Sequence, residues 1–213
     1  MSSPSSPGSA ASRWVRRKEA RPAEIQEAAL KVFAEKGYAG ARMDDIARAA
    51  GVTKGTIYLY FDSKEAVFKS LVRGSIGAAL TQMDETQKSF HGPAKTLLRF
   101  ALGTIAHMLA SGGRDALPKI ILSESANFPE LARFWRREII DRGIARMSAI
   151  VELGIAQGEF RKLPVEHVVR LCMAPLLLSV LWRSTFAQFD AVPYDYQGLL
   201  DTHLDVLFQG LAP

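Results

Sequence analysis

Gly51-Val52-Thr53-Lys54-Gly55-Thr56-Ile57-Tyr58-Leu59-Tyr60-Phe61-Asp62-Ser63-Lys64-Glu65 joins a glycine turn, a very short polar-aromatic helix and the cap of the next helix without slack. Gly51 suits a turn that needs positive φ, Val52 plugs the core, and Thr53 offers a hydroxyl N-cap. Ile57 and Phe61 lie one turn apart on the inner face, which leaves Lys54, Thr56, Tyr58 and Tyr60 for the other faces. Asp62-Ser63-Lys64-Glu65 reads as a capping box in which Asp62 caps and Glu65 reaches back, so a further helix with Ala66, Val67, Leu71 and Val72 starts at once.

Upstream, Ile25, Ala28, Ala29, Val32 and Phe33 recur at helical spacing behind Pro22, and Gly37 ends that helix as a left-handed residue. A second helix spans about Met43 to Ala50, with Ile46, Ala47 and Ala50 inward and Asp44 and Asp45 at its positive end. Helix, three-residue turn and helix is the helix-turn-helix plan, whose second helix lies in the DNA major groove with its N-terminal residues nearest the bases. Here those are Thr53, Lys54, Gly55 and Thr56. Gly55 costs roughly 1 kcal/mol relative to alanine in a helix, which points to a close approach by a phosphate or base edge. Tyr58 and Tyr60 can donate hydroxyl bonds to phosphates. Lys64 either adds a cation to this surface or is a solvated charge.

The segment from 21 to 72, with Ala28-Ala29-Leu30, Phe33-Ala34-Glu35-Lys36-Gly37-Tyr38, Asp45-Ile46-Ala47, Ala50-Gly51-Val52, Gly55-Thr56-Ile57-Tyr58 and Tyr60-Phe61-Asp62-Ser63-Lys64-Glu65, resembles the DNA-binding domain of the TetR family of bacterial transcriptional regulators. At Arg42 the sequence departs from that family's pattern, which more often has a small hydroxyl residue capping the second helix. The arginine becomes a candidate phosphate contact instead.

Residues 1–73 hold 13 Lys or Arg against 8 Asp or Glu, whereas residues 74–213 hold 14 of each, so the whole net charge of +5 lies in the first third. That asymmetry points to a polyanion bound there. The leader, residues 1–20, is expected to be a disordered segment. Its Arg13, Arg16 and Arg17 form a basic arm for phosphates or a minor groove. It lacks the apolar core of a signal peptide, and the single cysteine, Cys172, excludes an internal disulfide; together these suggest a cytoplasmic protein. The apolar run Val168 to Trp182 contains Arg170 and Pro175, falls short of a membrane span and reads as a buried or interface helix.

Residues 21–73 thus form a helix-turn-helix domain, and residues 74–213 show only helical periods. Breaks at Gly92-Pro93, Gly112-Gly113, Asn127-Phe128-Pro129, Gly158, Pro164 and Val192-Pro193 give helices near 75–90, 94–110, 115–125, 129–157, 164–189 and 195–209. The expected fold is all-α: a three-helix DNA-binding domain followed by a helical bundle for ligand binding and dimerisation. Helix 129–157 alternates apolar residues with Arg133, Arg136, Arg137, Arg142 and Arg146 on a wet face. The last two helices carry an excess of apolar residues, and Leu177, Leu178, Leu181, Leu200, Leu204 and Leu207 are assigned to a two-fold interface. A pocket for an apolar or aromatic effector is expected among helices 94–110, 129–157 and 164–189, lined by Phe100, His107, Phe134, Trp135, Cys172, Trp182 and Phe186.

Scattered histidines, with no metal-ligand pairing and no phosphate loop, exclude the common catalytic signatures, and no metal or cofactor is expected. The resulting expectation is a homodimeric repressor that binds a near-palindromic double-stranded DNA operator. A small molecule releases it, with helix 62–73 as lever. An effector-independent DNA-architectural protein is the alternative, but it leaves residues 74–213 without a purpose.

Overall fold

The computed structural model describes residues 9–111 and 113–213, with side chains from Arg21 onward apart from Ala79. No strand occurs among them, and the chain divides into two compact units between Leu71 and Val72.

The first unit contains α1 (Ser9–Gly40), α2 (Met43–Ala49), α3 (Lys54–Tyr58) and nearly all of α4 (Lys64–Val72). Among the described residues the backbone is already helical at Ser9, ahead of Pro22. The stretch from Ser9 to Arg21 has no glycine and is rich in good helix formers, so nothing stops the helix ahead of Pro22. Gly37 at φ +68° and Gly51 at φ +63° supply the two left-handed turns.

Ile25, Ala29, Ile46, Ile57 and Val67 fill the core, and at its centre Phe33, Tyr38 and Phe68 pack edge to face or tilted, 5.6–5.7 Å between centroids. Gln26 Nε2 donates to Ser70 Oγ at 2.7 Å and ties α1 to α4. The cap of α4 is Ser63, whose Oγ accepts the Ala66 N–H at 3.1 Å. This corrects the expected Asp62–Glu65 box by one residue: Glu65 already lies in the first turn of α4 and pairs with Lys69.

The second unit begins with a wide π turn, Arg73–Gly77, followed by α5 (Ala78–Ser89), α6 (Ala94–Ala110), α7 (Ala116–Glu124) and α8 (Pro129–Trp135). A second π turn, Arg136–Ile140, separates α8 from α9 (Asp141–Ala156); α10 (Val165–Thr185), a 3-10 turn (Ala187–Phe189) and α11 (Tyr196–Leu211) complete it. The helix expected over 129–157 is therefore two helices. The extra residue held in the π turn brings Trp135 and Met147, both buried, back onto one face. The two π turns are tied by Arg73 Nη2, which donates to Glu138 Oε1 at 3.2 Å while its guanidinium lies 5.1 Å from the centre of the Phe134 ring.

The unit's core runs through α6, α9, α10 and α11, around Leu98, Leu102, Met147, Val169 and Cys172. Arg146, expected on the wet face of α9, is 10% exposed and forms a two-pronged pair with Asp84 of α5. That bridge holds the Asp84 carboxyl below the ordinary aspartate range.

Candidate nucleic-acid interface and ligand cavity

At the reading head, Thr53 caps α3: its Oγ1 accepts the Thr56 N–H at 3.1 Å, and the two hydroxyls lie 2.8 Å apart. Lys54, Gly55, Tyr58 and Leu59 are exposed, while Thr56 and Tyr60 are half-buried. Gly55 has nothing but the Thr53 hydroxyl near the place of a Cβ, at 3.9 Å, so its backbone is open to a large partner. Lys54 Nζ is 3.0 Å from Asp44 Oδ1, and hydrogen bonding to that carboxylate raises the lysine's pKa.

Arg42 is exposed and, having only donors, leaves α2 without a side-chain cap; Asp45 Oδ2 instead accepts the Arg42 N–H at 3.2 Å. Lys36 Nζ holds the other Asp45 oxygen at 2.8 Å, and that bond lowers the Asp45 pKa. Arg48, absent from the sequence-derived set, is 80% exposed at the last turn of α2, where the first helix of such a motif crosses the DNA backbone. Its position as the last cation before the glycine turn was the available signal.

Lys64 is placed differently. Its Nζ donates to the carbonyls of Tyr38 at 2.6 Å, Ala41 at 2.9 Å and Ala39 at 3.3 Å, and stands 4.5 Å from the centre of the Tyr38 ring. All three ammonium donors serve the end of α1, so Lys64 braces the head rather than presenting a free cation. The side chains of Arg13, Arg16 and Arg17 lie outside the described residues.

In the second unit, a cavity of about 220 Å³ opens among α6, α10 and α11. Its apolar wall includes Ala106, Leu109, Leu176, Val180 and Leu199, and its polar lining is His107, Ser179, Arg183, Gln197, His203 and Tyr196.

Residues 25–71 match the pattern of the bacterial regulatory proteins of the tetR family, and residues 91–191 match the tetracyclin repressor-like C-terminal domain. The chain belongs to the TetR family. This TetR-family chain is a DNA-binding, ligand-responsive transcriptional regulator, with a helix-turn-helix head and an all-α second unit. It is 28% identical over 196 residues to the fatty acid metabolism regulator protein of Bacillus subtilis, covering 91% of this chain and 98% of that one. Among solved structures it is similar to FadR from Bacillus subtilis in complex with stearoyl-CoA, with TM-score 0.70, 26% identity and coverage of 89% and 98%. It is also similar to the ketosteroid transcriptional regulator KstR2 of Mycobacterium tuberculosis, with TM-score 0.65, 25% identity and coverage of 91% and 95%.

Of the seven pocket residues named from sequence, only His107 lines the cavity of this TetR-family protein. Phe134 and Trp135 are buried, and Phe100, Trp182 and Phe186 are exposed. Trp182 and Phe186 pack in a tilted pair with centroids 5.2 Å apart, and Trp182 Nε1 donates to Asp190 at 2.9 Å. Cys172 sits in the core, where burial pushes its thiol up to about 12. Among the described residues no group of three or more His, Cys, Asp or Glu side chains is placed to hold a metal ion.

The leucines assigned to an interface separate into two sets. Leu177 and Leu178 are exposed and Leu181 and Leu207 half-buried, but Leu200 and Leu204 are buried in the unit's own core and so cannot meet a partner. The amphipathic turn of α11 points these two at α6 and α10. Helix α10 itself, 21 residues long, does meet the length for a membrane span, contrary to the sequence reading; yet its inner residues Val168, Val169, Cys172, Leu176 and Val180 pack into a globular core.

Proposed function

We propose that this protein is a cytoplasmic, membrane-free repressor that binds a near-palindromic operator as a two-fold homodimer and leaves it when a small amphipathic effector enters the α6–α10–α11 cavity. The observation that carries the DNA half is the open surface at the start of α3, where Thr53, Lys54 and Gly55 are exposed beside Arg42, Arg48 and Tyr58. Thr56 and Tyr60 complete the set from half-buried positions. Charge, hydroxyls and accessible backbone on one short helix suit phosphate contacts that fix register and side chains that reach base edges.

Pairing is supported by the outer face of α10, where Leu171, Leu177 and Leu178 are exposed on a helix whose opposite face fills the core. Ligand release is supported by the cavity and by relatives named for a fatty acid, a stearoyl-CoA complex and a ketosteroid. A purely architectural DNA protein has no use for such a cavity. The covalent route from this unit to the reading head is the first π turn and α4.

The Asp44–Lys54 pair provides a charge-symmetric test. Lys54→Ala removes a phosphate contact and should weaken binding to a selected operator by on the order of 1–3 kcal/mol. Asp44→Asn removes a carboxylate beside that contact and frees the ammonium, so binding to all DNA sequences should tighten. Fluorescence anisotropy at one fixed salt concentration reads both, and affinity unmoved in both variants would refute this assignment of the reading head.

A further inference from the structure

The geometry points to a small carboxylic acid with an apolar body as the ligand of the α6–α10–α11 cavity, its carboxylate held by the lining residues Arg183 and Tyr196. Four of the six polar residues of the lining already have partners. Ser179 Oγ donates to the Pro175 carbonyl at 2.8 Å, and Gln197 Nε2 donates to Asp201 at 3.2 Å. His107 Nε2 lies 3.5 Å from Ser111 Oγ, and His203 Nε2 is 3.3 Å from the Cys172 carbonyl.

Arg183 and Tyr196 differ. Arg183 Nη1 donates to the Ala110 carbonyl at 3.2 Å, and the guanidinium stacks 4.7 Å above the Tyr196 ring, but its Nε is buried and unpartnered. The Tyr196 hydroxyl is likewise buried and unpartnered, and among the described residues no carboxylate lies within ion-pair distance of Arg183. A buried donor without an acceptor is costly. Nε can only donate, so the complementary atom is an acceptor, and the fixed positive charge makes an anion the better one.

A guanidinium and a phenol hydroxyl can both donate to a carboxylate. A phosphate would set further charged oxygens against Leu176, Val180 and Leu199. The volume of about 220 Å³ equals roughly seven waters, which suits an acid of about seven to ten non-hydrogen atoms and is smaller than the range of drug-sized sites. Gly103 on the α6 wall has no atom within 4 Å of where a Cβ would stand, so a side chain can start there without a clash at its first carbon and extend into the cavity's space.

The assignment rests on the reading of this cavity as the effector site only for its effect on DNA; binding itself stands on the geometry. Calorimetry on the full chain with benzoate and hexanoate, against benzyl alcohol and hexanol, tests it. Wild type should bind the acids at least tenfold more tightly than the alcohols. Arg183→Gln and Tyr196→Phe should each lose tenfold or more for the acids with the alcohols unmoved, and Gly103→Leu should abolish binding of both while keeping the melting temperature. Equal affinity for acids and alcohols, acids bound undiminished by Arg183→Gln, no binding of any probe, or binding retained in Gly103→Leu each overturns it. Acids that bind as described but leave the operator occupied uphold this site and refute its effector role. Compounds that release the operator from Gly103→Leu as readily as from wild type uphold ligand response and place it elsewhere.

Discussion

Lys64 shows how one side chain changes meaning between sequence and structure. In the sequence it is a cation next to the reading helix; in the fold its ammonium closes the end of α1 by donating to three main-chain carbonyls. Helix ends leave such carbonyls without partners, and a cation there also opposes the negative end of the helix dipole. Lys64→Met keeps the aliphatic stem but removes the donors, and should lower the stability of the first unit by about 1–3 kcal/mol, read as a drop in melting temperature. Operator affinity measured well below that temperature should stay the same. Affinity lost with the melting temperature unchanged would instead return Lys64 to the DNA-contacting set. Arg42 and Arg48, by contrast, are exposed and leave the stability largely alone when replaced.

At the scale of elements, helix boundaries were legible because glycine and proline mark them: the expected 94–110, 115–125 and 195–209 lie within a residue or two of α6, α7 and α11. The turn at Gly51 and the Thr53 cap were legible for the same reason, since only certain residues satisfy those backbone geometries. The cavity was not. Aromatic residues fill cores and line pockets alike, so Phe134 and Trp135 could not be told from Arg183 and Tyr196, whose significance lies in partners that spacing does not reveal. Phe68, fully buried at the centre of the first unit's aromatic trio, also went unnamed. The same ambiguity mixed two kinds of leucine. Leu178→Asp on the outer face of α10 should split a dimer, because association would bury an unpaired charge at a cost of several kcal/mol. Leu204→Ala, 3% exposed within the monomer core, should cost about 2–5 kcal/mol of folding stability instead. Sedimentation and denaturant unfolding separate the two, and a monodisperse dimer for Leu178→Asp would show that pairing uses another surface.

Across the whole molecule, acid should weaken the Asp84–Arg146 bridge between α5 and α9. Hydrogen bonding to Arg146 depresses the folded pKa of Asp84 below the value near 3.9 that it has in the unfolded chain. The unfolded state therefore takes up the proton at higher pH; the bridge contributes fully above the unfolded value and is lost as pH falls through the folded one. The stability difference between wild type and Asp84→Asn should accordingly shrink as denaturant unfolding is repeated from pH 6 towards pH 3. A difference constant across that range would mean that the bridge adds no pH dependence. The buried thiol of Cys172, pushed up to about 12, has a different consequence. At neutral pH alkylating reagents find almost no thiolate on the native chain, so a cysteine installed at an exposed position such as Arg48 becomes the single site for a spin label or fluorophore. Native protein thus needs no prior cysteine removal for distance measurements between labelled copies. The slow modification of Cys172 itself becomes a clock that counts how often the core of the second unit opens.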